Sequence, residues 1–98
     1  MFARIARYEV PPDRIIEAAG AFRDAVEAIR GLDGLVDAYV LAERESQAQL
    51  LTITVWETEA AMMASRVATS RARTEAVHTV GGSVESAAEY EIVFHERA

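Results

Sequence analysis

A run of β-forming residues in the middle of the chain restricts the possible folds most strongly. Residues 49–56 read Gln-Leu-Leu-Thr-Ile-Thr-Val-Trp, so apolar side chains fall on both alternating faces. A strand of this kind is typical of the centre of a sheet that is covered on both sides. Residues 35–43 predict a neighbouring strand, and the polar residues 44–48 between the two predict an antiparallel hairpin.

A first strand and a first helix are predicted before this hairpin. Residues 2–10 form the strand, and Pro11-Pro12 ends it because proline cannot continue a ladder of hydrogen bonds. Residues 14–30 carry apolar side chains at helical spacing, with Asp13 as the candidate N-cap. Gly31 follows and fits the left-handed position that often ends a helix.

A second helix and a last strand are predicted after the hairpin. Thr58 can cap a helix that runs to about Val80, and Gly81-Gly82 ends it. A last strand then covers roughly residues 84–95. The order β-α-β-β-α-β is that of the ferredoxin-like fold, an α+β sandwich in which a four-stranded antiparallel sheet carries two helices on one face.

The second apolar face of the sheet predicts a partner. The 98 residues form one domain, residues 1–98. Two helices cover only one sheet face, yet both faces of the third strand are apolar, with Leu51, Ile53 and Val55 together on one of them. The simplest second cover is the same sheet of another copy, so we expect a homodimer joined through its sheet faces.

Composition excludes several classes of function. The formal net charge is −6, from 16 acidic and 10 basic residues, and there is no basic run that would bind nucleic acid or an acidic membrane surface. The absence of cysteine excludes disulfides, zinc–thiolate sites and a thiol nucleophile. No apolar stretch is as long as a membrane span, and the N-terminus lacks the apolar core of a signal peptide. We therefore expect a soluble, cytoplasmic protein.

The inner face of the second helix is the first candidate ligand site. Arg66 and Arg73 lie seven residues apart on one side of it, with Thr69 between them. A helix with small and mixed inner residues either borders a small-ligand pocket with convergent donors or packs closely on the sheet with its arginines in solvent. The pattern leaves both open. The predicted inner positions are Met62, Ser65, Arg66, Thr69, Ala72, Arg73 and Ala76.

Trp56 and Arg4 also have two interpretations each. Trp56 ends the third strand and is either a wall for a flat ligand or a core indole with one hydrogen-bond partner. Arg4 lies in a strand that looks buried on both sides, so it needs either a polar ligand or a carboxylate. The candidate carboxylates are Glu9, Asp37 and Glu91.

The tyrosines and histidines add further candidates. Tyr8, Tyr39 and Tyr90 lie on three different strands, and each can either direct its hydroxyl into a pocket or belong to the core. His78 and His95 are too far apart in the sequence to form a helical pair of metal ligands. We therefore predict no metal site.

Three short motifs lie at the ends of the predicted elements. They are Val10-Pro11-Pro12-Asp13-Arg14, Gly31-Leu32-Asp33-Gly34-Leu35 and Trp56-Glu57-Thr58-Glu59-Ala60-Ala61-Met62. With them the chain resembles, over nearly its whole length, the antibiotic biosynthesis monooxygenase (ABM) superfamily of dimeric α/β barrels. The Trp-Glu step before a helix is the most recognisable of these features.

The resemblance implies a ferredoxin-like protomer, a dimer joined face to face through the sheets, and a cavity between sheet and helices. Family members include oxygenases in which the substrate itself supplies electrons to O₂, so the resemblance implies no cofactor. Haem-degrading members carry an asparagine on the first strand, and this chain contains no asparagine. Their second tryptophan and their histidine fall near Ser65 and Glu75 here. We therefore do not expect haem degradation, and no catalytic set carries over residue by residue.

Residues and resemblance together give one hypothesis and two alternatives. The hypothesis is a cofactor-independent monooxygenase that acts on a small aromatic compound or quinol in a pocket between the sheet and the second helix. The alternatives are a non-catalytic dimer that binds a small hydrophobic metabolite, as in a stress response, and a purely structural dimer. The candidate catalytic residues are Trp56, Arg66 and Arg73. The candidate ligand-binding residues are Arg4, Tyr8, Tyr39, Thr69 and Tyr90.

Overall fold

One antiparallel sheet and the helices on one of its faces make up the fold in the computed structural model, which describes residues 1–46 and 48–98. The elements are β1 (Phe2–Glu9), a 3-10 turn (Pro12–Arg14), α1 (Ile15–Ile29), β2 (Leu35–Ala42), β3 (Gln49–Trp56), α2 (Glu59–Ala64), α3 (Arg66–Val80) and β4 (Ser83–Glu91). The sheet order is β2-β3-β1-β4, and each neighbouring pair is antiparallel. The predicted ferredoxin-like α+β fold is confirmed.

The register of the strands shows which side chains lie on each of the two faces of the sheet. In the pairing of β1 with β3, Ile5 lies opposite Ile53 and Arg4 lies opposite Thr54. Successive side chains of a strand point to opposite sides. The helix face, which α1 and α3 cover, therefore carries Arg4, Ala6, Tyr8, Leu50, Thr52, Thr54 and Trp56 on the two central strands. The open face carries Ala3, Ile5, Arg7, Leu51, Ile53 and Val55 on the same strands.

The core lies between the helix face and the two long helices. Tyr8 and Phe22 are each 1% exposed, and their ring centroids lie 4.3 Å apart. Ala18 of α1 and Val80 of α3 pack into the same cluster. Gly81 then ends α3 in the left-handed conformation, with φ of 71°, as the Gly81-Gly82 pair predicts.

Three local predictions differ from the structure. The predicted second helix is divided at Ser65 into α2 and α3. Asp13 lies in the 3-10 turn, and α1 begins without a side-chain cap, so the predicted N-cap is wrong. The glycine with positive φ after α1 is Gly34, not Gly31. The predicted connection over residues 44–48 includes Gln47, which lies outside the described residues.

The last strand is shorter than predicted, and its partner explains why. β4 ends at Glu91, directly opposite Phe2, the first residue of β1. Beyond this point β1 offers no further strand to pair with, and the chain continues with one bond from the Ile92 N–H to the carbonyl of Met1, at 2.9 Å. Val93 and Phe94 are consequently 88% and 80% exposed.

Candidate functional site

A small cavity lies between the helix face and the helices α1 and α3. Its volume is about 40 Å³, which is room for a few water molecules. The α1 side of the wall is apolar, and the sheet and α3 supply the polar groups. The lining residues are Arg4, Ala6, Tyr8, Phe22, Ala25, Val26, Ile29, Thr52, Thr54, Thr69, Ala72 and Arg73.

The Tyr8 hydroxyl is one of the polar groups that the sheet presents to this cavity. It lies 2.8 Å from the Thr52 hydroxyl, and the two share a hydrogen bond. Burial raises the pKa of Tyr8, and the bond with Thr52 and the positive charge of Arg73 oppose that rise only in part. Tyr8 is therefore a neutral phenol that can donate a hydrogen bond.

Arg73 is the charged group that α3 contributes to the cavity wall, and unlike most arginines of the chain it is not exposed. It is partly buried, and it lines the cavity beside Tyr8. Within residues 1–46 and 48–98, the arginines that form ion pairs are Arg4, Arg14, Arg30 and Arg66. The arginines left without one in that part of the chain are all exposed except Arg73. A partly buried guanidinium without an ion pair can bind an anionic ligand at a smaller desolvation cost than an exposed one.

A second concavity lies on the other side of α3, between this helix and β4, and we call it the α3–β4 groove. It has a volume of about 310 Å³. Arg4, Thr69 and Arg73 line both the groove and the cavity, so only the middle of α3 separates the two spaces. The groove is lined by Arg4, Arg66, Thr69, Ser70, Arg73, Ala87, Ala88 and Glu89.

Arg4 is fully engaged within the protein. Its Nη1 donates to the hydroxyls of Ser65 and Thr69, at 3.1 and 2.9 Å. Its Nη2 donates to the Met62 carbonyl at 2.8 Å and to the Glu89 carboxylate at 2.7 Å, and its Nε donates to the same carboxylate oxygen. The guanidinium has five N–H donors, and these contacts occupy them. Arg4 therefore ties the α2–α3 junction to the sheet.

The carboxylate partner of Arg4 is Glu89, and the predicted candidates Glu9, Asp37 and Glu91 are wrong. Glu89 lies directly opposite Arg4 in the pairing of β1 with β4. The Arg66 guanidinium on the other side donates to both Glu89 oxygens through its Nε and Nη2. Hydrogen bonds from Arg66 and Arg4 lower the pKa of Glu89 to about 2.

Trp56 and Arg66 lie outside the cavity. Trp56 is fully buried, and its indole N–H donates to the Thr54 hydroxyl at 2.9 Å. The Arg4 guanidinium stands 5.9 Å from its ring centroid, within cation–π distance. The Arg66 side chain is 56% exposed and lies in the groove. Of the three candidate catalytic residues, the structure therefore places only Arg73 at the cavity.

The candidate ligand-binding residues divide between the two faces of the sheet. Arg4, Tyr8 and Thr69 line the cavity. Tyr39 pairs opposite Ile53, and Tyr90 pairs opposite Ala3, so both tyrosines belong to the open face. They lie on its two edge strands and are 48% and 51% exposed.

Sequence reasoning missed three residues of the site. Thr52 and Thr54 accompany Leu50 and Trp56 on the helix face, and simple alternation along β3 could have identified them. Glu89 could not be chosen as the partner of Arg4 without the register of β4, which the sequence leaves open.

Two further properties of the described residues bear on the site. No three His, Asp or Glu side chains among them converge as ligands for a metal ion. No helix in the part of the chain that the structure describes is long and apolar enough to cross a membrane.

Sheet, helices and cavity together define an α+β protein of the ferredoxin-like class with a small, mainly apolar cavity beneath its helices. The chain belongs to the antibiotic biosynthesis monooxygenase (ABM) family, whose sequence profile matches residues 1–76. Among curated proteins, no significant relative is found by sequence.

Solved structures share the fold over almost the whole chain. A Deinococcus radiodurans protein assigned to the antibiotic biosynthesis monooxygenases matches with a TM-score of 0.81 and 14% identity, over 100% of this chain and 98% of that one. A variant of SnoaB, a cofactor-independent oxygenase from Streptomyces nogalater, matches with a TM-score of 0.77 and 16% identity, over 96% and 94%. NE2512, a Nitrosomonas europaea protein of unknown function, gives 0.74 and 14%, over 99% and 93%. At these identities the similarity shows the fold alone.

Proposed function

We propose that this protein is a cofactor-independent monooxygenase for a compact hydroxylated aromatic compound, such as a quinol. The observation that carries the proposal is the sheltered guanidinium of Arg73, which lines an apolar cavity beside the neutral hydroxyl of Tyr8. A phenolate on a flat ring is the kind of ligand that such a pair binds, because the arginine neutralises its charge and the tyrosine donates a hydrogen bond. Membership of the ABM family supports the same reaction class.

The chemistry requires only O₂ and an electron-rich substrate. A naphthalene diol, C₁₀H₈O₂, reacts with O₂ to give a hydroxynaphthoquinone, C₁₀H₆O₃, and one H₂O. The ionised ring transfers an electron to O₂, and the two radicals combine to form a C–O bond. The O–O bond of the hydroperoxide then breaks with loss of water, which leaves one oxygen atom on the product. The substrate supplies all four electrons.

Several of the residues that line the cavity have a role in this scheme. Arg73 holds the phenolate and so lowers the free energy of the electron-rich form that reacts with O₂. Tyr8 orients the ring through its hydroxyl, which Thr52 holds in place. The side chains of Phe22 and Val26 exclude water, which strengthens both interactions. Arg4 acts through position, because it holds Ser65 and Thr69 of the helices to the sheet, and Trp56 supports it through the contact of its ring with the Arg4 guanidinium.

The size of the cavity restricts the substrate. Pockets that bind small molecules usually have volumes of about 300–1,000 Å³, and this cavity has about 40 Å³. Binding therefore needs α3 to move away from the sheet or the ligand to extend into the α3–β4 groove. Thr69 and Ala72 are small side chains of α3 on the cavity wall, so an aromatic ring would be accommodated beside them.

Oxygen uptake tests the proposal. The purified protein is incubated with a naphthalene diol in the presence of a metal chelator, and uptake is compared with the uncatalysed rate. With ¹⁸O₂, the proposal predicts one labelled oxygen in the quinone. Arg73→Gln should lower kcat/KM about ten- to a hundredfold, because it removes charge-assisted hydrogen bonds. Arg71→Gln is the matched control, since Arg71 is exposed on the same helix.

Two results would contradict the proposal. One is uptake no faster than the background with every diol and quinol tried. The other is full activity in Arg73→Gln, which would place the chemistry elsewhere. If ligands raise the melting temperature but no oxygen is consumed, the protein is a binding protein instead.

The open face of the sheet supports the second part of the proposal, a homodimer. Ile5, Leu51 and Ile53 form its centre and are only half-buried in the single chain. Tyr39 and Tyr90 flank this apolar centre on the two edge strands. A contiguous apolar patch of this kind marks an interface. A two-fold axis would place the same patch of a second copy against it.

A further inference from the structure

The α3–β4 groove has a charge that the proposed reaction does not use. We infer that the substrate carries a carboxylate, which Arg73 and Arg66 bind in this groove while the hydroxylated ring lies in the cavity. The ligand class is thus the hydroxylated aromatic acids. The inference rests on the proposed function where it calls the ligand a substrate, whereas the carboxylate site itself is inferred from the residues of the groove.

The groove follows from spacing on α3 and from small residues on β4. Arg66, Thr69, Ser70 and Arg73 are spaced i, i+3, i+4 and i+7 and so form one stripe along the helix. The stripe faces Ala87 and its neighbours on β4. On the helix face of the strand, Ala87 lies opposite Ala6, and its small methyl side chain leaves a space of about 310 Å³ beneath the stripe. This is large enough to hold a carboxylate and part of a ring.

The groove is positive in a chain that is negative overall. Three arginines and one glutamate line it, which gives a local formal charge of +3 − 1 = +2, whereas the whole chain carries −6. Arg4 has its donors occupied, and its charge and that of Arg66 flank the single carboxylate of Glu89. The negative charge of Glu59 also acts on Arg66, so among the described residues the charge without an ion-pair partner lies on Arg73. Arg66 adds the guanidinium N–H groups that its bonds to Glu89 leave free on the same side of the groove.

The geometry favours a carboxylate over a more highly charged anion. A guanidinium presents paired donors that match the two oxygens of a carboxylate. Glu89 remains ionised beside the bound anion, because its pKa is held near 2, and it repels a dianion more than a monoanion. Ser70 adds a hydroxyl on the same stripe.

Arg73 connects this site to the proposed reaction. Its side chain lines the groove on one side of α3 and the cavity on the other. A carboxylate held by Arg73 therefore places an attached ring close to Tyr8 and the apolar wall of α1. A hydroxyl next to the carboxylate on that ring would then lie between Arg73 and Tyr8.

Calorimetric titration under nitrogen tests the carboxylate site without any oxygen chemistry. The probes are 1-hydroxy-2-naphthoate and 1-naphthol, which share their rings and differ in the carboxylate. We expect the acid to bind the wild type at least about tenfold more tightly, the advantage of charge-assisted hydrogen bonds. Arg73→Gln should abolish that advantage, Arg73→Lys should retain part of it, and Arg71→Gln should retain all of it.

Several outcomes would overturn the inference. Equal binding of the two probes to the wild type is one, and an undiminished advantage in Arg73→Gln is another. Tighter binding of 1-naphthyl phosphate than of the acid would replace the carboxylate by a phosphate. Arg66→Gln is the second variant, since its exposed side chain can be replaced without opening the core, and it should weaken acid binding several-fold.

The two proposals fail separately. Selective binding of the acid without oxygen uptake by any diol leaves the carboxylate site standing and removes the monooxygenase. Oxygen uptake with a neutral diol, together with no preference for the acid in the titration, leaves the monooxygenase standing and removes the carboxylate site.

Discussion

The two-sided ion pair of Glu89 leads to a prediction whose size can be worked out from the structure. Hydrogen bonds from Arg66 and Arg4 lower the pKa of this carboxyl from 4.5 to about 2. At 1.36 kcal/mol per pH unit, that difference corresponds to about 3 kcal/mol. The Glu89 side chain is 25% exposed, so solvent screens the pair, and we take about 2 kcal/mol as its contribution to stability.

The variant that removes this contribution is Glu89→Gln, which keeps the shape and removes the charge. At pH 7 we expect it to lower the free energy of unfolding by about 2 kcal/mol, since Arg4 loses its charged partner inside the protein. The folded-state pKa lies below the ordinary value, so the contribution is fully present above pH 4.5 and is lost as the pH falls towards 2. The stability gap between wild type and variant should therefore close over this window.

Urea unfolding followed by circular dichroism measures the gap at a series of pH values. Both proteins are held at the same concentration, because self-association changes apparent stability. Glu91→Gln is the control, since Glu91 is exposed on the same strand and forms no ion pair within the described residues. A gap of equal size at pH 7 and at pH 2.5, or no gap at pH 7, would refute the reasoning from the pKa of Glu89.

Two further predictions concern the open face and a turn. Ile53→Arg places a charge at the centre of the open face and should convert the proposed dimer to a monomer in analytical ultracentrifugation. Val67→Arg, at an exposed position on α3, should leave the dimer intact, and a wild-type monomer would remove the dimer proposal. Gly34→Ala should cost about 1–3 kcal/mol in urea unfolding, because Gly34 has φ of 79° and its new Cβ would lie 2.5 Å from the Cβ of Ala61. Gly31→Ala meets open space, so an equal loss there would contradict that explanation.

The fold could be predicted because its signals are local and repeated. Residues 49–56 are an almost uninterrupted run of β-forming residues, and the structure gives β3 those same bounds. α1 follows its apolar period to within one residue of the predicted ends. Errors occurred where a boundary depends on a distant partner, as at the end of β4, which β1 sets.

The candidate site was predictable only in part, because residues reach it from elements far apart in the sequence. Arg73, Thr69 and Tyr8 were identifiable by type and face. Tyr8 and Tyr39 both lie in predicted strands, and the sequence does not show which face of the sheet each occupies. The pairing of β2 with β3 places Tyr39 on the open face. Arg66 shares a helical stripe with Arg73, yet Glu89 holds it in the groove and away from the cavity.

The contacts of Arg4 have a mechanical consequence for α3. At one end of the helix, Arg4 holds Ser65 and Thr69 to the sheet. At the other end, Val80 is 1% exposed in the core. The helix is thus held at both ends, whereas Arg73 in its middle borders the cavity on one side and the groove on the other. A ligand that occupies both spaces would therefore have to pass beneath the middle of α3, between two ends that the sheet and the core hold in place.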